Sequence, residues 1–142
     1  AFVTRFLAVK NLILNVSSVV WRRDALLRAL DASEAALLTY KMAGDWQLYL
    51  QALTEPGARL AYQAEPLNVH RRHAQSVTHA LDGERHVAEI VRCHSFARER
   101  VAGLAKARGA AQGSYLEEVT RQLGVRPKPA PSQQRLARTK RK

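Results

Sequence analysis

Three stretches of the chain bring together residue types that can do chemistry. In Ala43-Gly44-Asp45-Trp46 a carboxylate stands at the start of an apolar helical pattern and precedes a large aromatic. A carboxylate there can accept helix N-terminal amides, and the helix dipole favours the ionised form that a general base requires. The same residue types also make a plain helix cap followed by a core aromatic. In His70-Arg71-Arg72-His73, with Ser76-Val77-Thr78 and His79 following, guanidinium forks, hydroxyls and imidazoles lie close together. On an extended chain His70 and Arg72 take one side and Arg71 and His73 the other, so either face is cationic and polar. Such groups suit phosphate and, through neutral imidazole, a divalent metal. The cluster holds no carboxylate, so it does not close a metal site alone, and a solvated basic strand has the same composition. In Asn15-Val16-Ser17-Ser18, ahead of Val19-Val20-Trp21-Arg22-Arg23, small polar residues can line a cleft or form an ordinary turn.

Other signatures of chemistry are missing from the sequence: there is no Gly-rich phosphate loop, no Gly-x-Ser-x-Gly elbow and no paired-cysteine zinc spacing. His86 and His94, eight residues apart with Cys93 adjacent, read as partly buried helix residues.

The elements that must position these residues follow from hydrophobic spacing. Val3 to Leu14 has near-helical spacing, stopped by Asn15 and the serines, and Val19-Val20-Trp21 reads as a brief strand. Asp24 to Leu30 resumes helical spacing. Asp31-Ala32-Ser33-Glu34 has the small polar residues and downstream Glu of a helix start, which predicts a second helix to about Lys41. A third helix runs from Gly44-Asp45 to Leu53 and ends at Glu55-Pro56-Gly57. Arg59 to Ala64 alternates like a strand, and Pro66 separates it from a second extended piece, Leu67 to Arg72. Asp82 is a cap for a long helix to about Ala107, and a short helix from Tyr115 to Leu123 precedes the tail. Two or three short strands do not make a stable sheet alone, so they read as edge pieces of a sheet centred elsewhere.

Composition narrows the class. The 142 residues suffice for one modest core and are few for an enzyme with two substrates. The first residues carry no initiator Met and enter an apolar pattern at once, so the chain reads as truncated at its N-terminus. No apolar run approaches the roughly 18 residues of a membrane span, and no signal peptide is evident. The single Cys93 allows no internal disulfide and fits a cytoplasmic location. The net charge of +11 is uneven: residues 126–142 hold seven Lys and Arg and no acid, leaving +4 for the rest. That proline-containing tail has the composition of a disordered segment able to meet anionic lipid head groups or RNA.

Taken in order, Asn15 to Leu26, Gly44-Asp45-Trp46-Gln47-Leu48-Tyr49-Leu50 and Glu65-Pro66-Leu67-Asn68-Val69-His70-Arg71-Arg72-His73-Ala74-Gln75-Ser76-Val77-Thr78 resemble the second half of bacterial family 2 nucleotide-sugar glycosyltransferases. The match covers roughly Asn15 to His94. It implies an α/β parent of GT-A, Rossmann-like fold, of which this chain is a mainly α-helical part with two or three short strands. Residues 1–108 would then be the C-terminal part of the glycosyltransferase domain, 109–125 a short helical extension and 126–142 a basic, disordered tail.

The resemblance further implies an inverting transfer of sugar from a nucleotide-sugar donor to a hydroxyl of a glycan or lipid-linked acceptor, in cell-surface polysaccharide or glycan synthesis. Asp45 takes the place of the catalytic base, with Gly44 where the family often has Glu. Trp46 borders the acceptor, Ser17 and Ser18 line the cleft, Arg71, Arg72, Ser76 and Thr78 lie near the diphosphate, and His73 reaches the metal. A divalent cation, Mg²⁺ or Mn²⁺, is implied for the full-length enzyme, with none held tightly by this chain, which by itself is expected to be inactive. Nucleic acid is not an expected partner, and the tail offers a peripheral contact with the inner face of the membrane. The competing expectation is a basic helical module that binds nucleic acid or another protein. Against it, aromatics are few, and none is interleaved with the basic cluster.

Overall fold

The computed structural model describes residues 1–65, 67 and 82–125, among which four α-helices follow two short helical turns. The turns are a π-type turn, Val3–Leu7, and a 3₁₀ turn, Val16–Ser18. The helices are α1, Arg23–Leu37; α2, Gly44–Leu53; α3, Gly83–Arg100; and α4, Leu104–Gln122. In chain order α1 packs on α2, α2 on α3 and α3 on α4, while the π-type turn closes against α2 and α4.

The core lies where these elements converge. Trp46, Tyr49 and Leu50 of α2 meet Ile90, Cys93 and Ala97 of α3, Leu104 and Val119 of α4, and Leu7 and Ala8 of the π-type turn. α2 is buried over six consecutive residues, Trp46 to Gln51, which makes it the central helix. Around it the chain end is pinned through three successive carbonyls. Trp46 Nε1 donates to Leu7 O at 2.7 Å, Gln112 Nε2 to Ala8 O at 2.7 Å, and His94 Nε2 to Val9 O at 2.9 Å. Because a carbonyl only accepts, His94 carries its proton on Nε2; burial holds the ring's pKa below the usual histidine value and keeps it neutral. Each of these buried polar groups is thereby satisfied, as burial demands.

Several expected elements differ. α1 is one helix, with no restart at Asp31-Ala32-Ser33-Glu34: Ser33 is buried and its hydroxyl donates back to the Ala29 carbonyl, so it serves the helix interior instead of capping a new one. The helix expected from Val3 to Leu14 stops early, and Asn11 Oδ1 accepts from Ile13 N at 3.1 Å as the chain extends. The strands expected at Val19–Trp21 and Arg59–Ala64 are not formed; no strand occurs among the described residues. Val19 has extended torsions but no ladder partner among the described residues, and residues 59–64 are exposed throughout. A strand is defined by its neighbour, and neither stretch has one among those residues. The extended piece expected over Leu67 to Arg72 lies, beyond Leu67, outside the described residues.

Asp82 caps α3 as expected, accepting from Arg85 N at 3.1 Å. The helix ends at Arg100, not near Ala107: Val101 takes extended torsions, and Gly103 in the left-handed region (φ 72°) leads into the next helix. α4 then begins at Leu104, and the short helix expected from Tyr115 is its second half. No helix among the described residues is long and apolar enough to cross a membrane.

Candidate functional site

Asp45 is the second residue of α2, and the helix does not use it as the cap. The N-cap position is Ala43, whose side chain cannot accept a hydrogen bond. Asp45 Oδ1 accepts from its neighbour Trp46 N at 2.7 Å and from Asn11 Nδ2 at 3.4 Å, while Oδ2 takes no hydrogen bond among the described residues. The side chain is half-buried. Burial raises its proton affinity above the ordinary carboxylate range, and the two hydrogen bonds offset only part of that rise. Sequence alone suggests a carboxylate kept ionised by the helix dipole; burial acts in the opposite direction.

Tyr49 follows Asp45 by four residues and so lies on the same face of α2. It is 1% exposed, its hydroxyl has no hydrogen-bond partner among the described residues, and its ring stacks on Trp21 with centroids 5.9 Å apart. Burial together with the neighbouring Asp45 charge pushes the phenol up to about 12, so it stays protonated. Asn11 and Trp21 thus tie both ends of the segment between them to α2, through Asp45 and Tyr49.

The turn that leads into α2 is held from α3. Glu89, only 2% exposed, accepts the backbone amides of Lys41 (2.8 Å), Met42 (2.8 Å) and Ala43 (2.9 Å), and Arg85 Nε at 3.3 Å. Burial raises its proton affinity, but these four donors win, and the carboxyl is held below the ordinary range. Arg92 adds a second grip on the same turn: its guanidinium lies 4.0 Å from the centre of the Tyr40 ring and donates to Thr39 Oγ1 at 2.7 Å. Cys93 Sγ lies 3.8 Å from Ala43 O, and burial pushes this thiol up to about 12, leaving it inert.

The remaining expected site residues within the described part of the chain are Ser17, Ser18 and Trp46. Ser17 and Ser18 are exposed in the 3₁₀ turn and bond locally: Ser17 Oγ donates to Asn15 Oδ1 at 2.8 Å and Ser18 Oγ to Asn15 O at 2.6 Å. That is a turn held by its own asparagine. Trp46, 2% exposed, packs against His94 and Tyr115 with ring centroids 5.5 and 6.3 Å away. Core packing takes up the faces that a bordering acceptor would need. Arg71, Arg72, His73, Ser76 and Thr78 lie outside the described residues. Among the described residues no three His, Cys, Asp or Glu side chains come together as a metal site would require. An open groove of about 300 Å³ is bordered by Tyr40, Gln47, Arg92 and Phe96, and Asp45 does not line it.

Three residues of this region escaped the sequence reading. Asn11 and Tyr49 carry no local signal of a role beside Asp45. Glu89 left a usable signal: it stands one turn before Cys93 and two before Ala97, an acid on the stripe that the helix buries. The chain matches no protein-family model, no curated protein and no solved structure.

Proposed function

We propose that this chain is the acceptor side of an inverting, family 2-like glycosyltransferase of GT-A parentage, with Asp45 as the catalytic base. The observation that carries the reading is the state of Asp45. It is a half-buried carboxylate steadied through one oxygen by Asn11 and the Trp46 amide, and its proton affinity is raised by burial. A base is most effective when its pKa approaches the working pH while it remains ionised, and desolvation moves Asp45 in that direction.

In the reaction the acceptor hydroxyl gives its proton to Asp45 as its oxygen attacks the anomeric carbon. The bond from that carbon to the nucleoside diphosphate breaks, and the configuration inverts. Arg71, Arg72, Ser76 and Thr78 are the proposed diphosphate contacts, His73 the proposed contact to a Mg²⁺ or Mn²⁺ ion, and Ser17 and Ser18 the cleft lining. The proposed location is the cytoplasm, at the inner face of the membrane. The test is a transfer screen with nucleotide sugars and hydroxyl acceptors, using the polypeptide that also carries the donor-binding half. Transfer with inversion that Asp45→Asn abolishes supports the reading, and transfer unaffected by that substitution ends it.

A second reading, a basic helical interaction module, is favoured by one observation: the described residues form four α-helices and no strand. It requires salt-sensitive binding of nucleic acid or of a protein by the chain itself, with no dependence on Asp45.

A further inference from the structure

Asp45 enters α2 two residues after Ala43, the last of three consecutive residues whose amides Glu89 holds. α3 grips this entry turn along a single stripe. Arg85, Glu89, Arg92 and Cys93 are spaced by four, three and one residues, which places them on one face of a helix. Arg85 Nη2 donates to Thr39 O at 3.4 Å, Glu89 takes the amides of Lys41 to Ala43, Arg92 holds Tyr40 and Thr39, and Cys93 meets Ala43 O. Both Glu89 oxygens are used, Oε1 by Lys41 and Arg85 and Oε2 by Met42 and Ala43. The first intrahelical bond of α2, Gln47 N to Ala43 O at 3.0 Å, starts from the residue so held.

We propose that Glu89 is the positioning residue of the site: by clamping the turn that leads into α2 it fixes where the Asp45 carboxylate stands. The proposal rests on the reading of Asp45 as a base, and it adds a second effect of the same contact. The clamp also keeps the turn before α2 closed beside Asp45, whose proton affinity is raised by burial. Losing it loosens that turn and admits water around Asp45. This change lowers the proton affinity of Asp45. Among the described residues, the groups facing the pair are Asn11, Tyr49 and Cys93 beside Asp45, and Arg85, His86, Tyr40 and Cys93 beside Glu89.

The experiment is a carbon-13 NMR titration of side-chain carboxyls in the whole chain, comparing wild type with Glu89→Gln. The expected result is a lower Asp45 midpoint in the variant, together with lost exchange protection of the Lys41, Met42 and Ala43 amides. A variant with a lower Tm and an unmoved Asp45 midpoint would overturn the proposal and leave Glu89 a purely structural clamp. If Glu89→Gln does not fold, wild type decides the matter: the Asp45 carboxyl carbon must register a second step at the Glu89 midpoint, and a single step overturns the proposal. In the transferase assay, Glu89→Gln is expected to reduce kcat about tenfold to a hundredfold with donor KM unchanged, the cost of a misplaced base. Absence of any transfer by wild type would count against the glycosyltransferase reading alone, since the titration reads the coupling independently.

Discussion

At the scale of single residues, the two carboxylates nearest the start of α2 have opposite linkage to pH. Glu89 is held below the ordinary carboxylate range, so its stabilising contribution is complete above that range and is lost as pH falls through its depressed midpoint. Asp45 is raised, so its ionised form opposes folding: stability is greatest below the ordinary midpoint and declines as pH rises through the raised one. Glu89→Ala leaves three backbone amides, one of them buried, without their acceptor and is expected to cost about 2–4 kcal/mol at pH 7. Glu89→Gln should shrink the acid limb of the stability curve, which denaturant melts from pH 2 upward would record. Asp45→Asn behaves differently, because an amide oxygen can keep both hydrogen bonds of Oδ1 and carries no charge to desolvate. At pH 7 its Tm is expected to equal or exceed that of wild type, while transfer falls about a hundredfold or more. Calorimetry and initial rates on the same preparation separate the roles: a lower Tm with activity lost in proportion would make Asp45 a structural residue.

At the scale of elements, the sequence was most legible where apolar spacing or a cap marked a helix. α2 and the Asp82 start of α3 were both readable, because a run of apolar residues and an Asx cap are local signals. The two expected strands were not, since a strand depends on a partner that local sequence does not contain. The restart expected at Asp31 failed for a related reason: Ser33 has a capping side chain, but burial inside α1 turned its hydroxyl to the preceding turn. The candidate site was legible at Asp45 and not at Glu89, whose partners lie 46 to 48 residues away in sequence. Contact between α3 and α4 can be tested by two glycines of contrasting surroundings. A Cβ at Gly83 would stand 2.8 Å from Val125 Cγ2 and 3.3 Å from Leu123 Cβ, whereas one at Gly109 meets nothing within 4 Å. Gly83→Ala is therefore expected to destabilise by about 1–2 kcal/mol by prising the end of α4 from α3. Gly109→Ala should stabilise by about 0.5–1 kcal/mol through helix propensity. Equal effects of the two substitutions in urea melts would show that this contact is not tight.

At the scale of the whole molecule, the charge is carried mostly by one end of the sequence. Residues 126–142 supply seven of the eleven net positive charges, and the remaining chain keeps +4. Among the described residues, the core runs from Leu7 to Val119. Folding and surface attraction should therefore separate when the chain is ended at Val125. The shortened chain is expected to melt at the same temperature as the full one, because the deleted stretch has few apolar side chains to bury. Association with anionic lipid should fall steeply, since each Lys or Arg near such a surface contributes about 1 kcal/mol. Vesicle co-sedimentation with phosphatidylserine against pure phosphatidylcholine, at low and at physiological salt, measures the attraction, and calorimetry measures the fold. A duplex oligonucleotide in the same salt series separates the two readings of the basic tail. Oligonucleotide binding stronger than vesicle binding, and steep in salt, would favour a nucleic-acid module. Vesicle binding lost with the tail, with a weak response to oligonucleotide, would support a transferase held at a membrane face. A lower Tm on truncation would show instead that these residues pack against the helices.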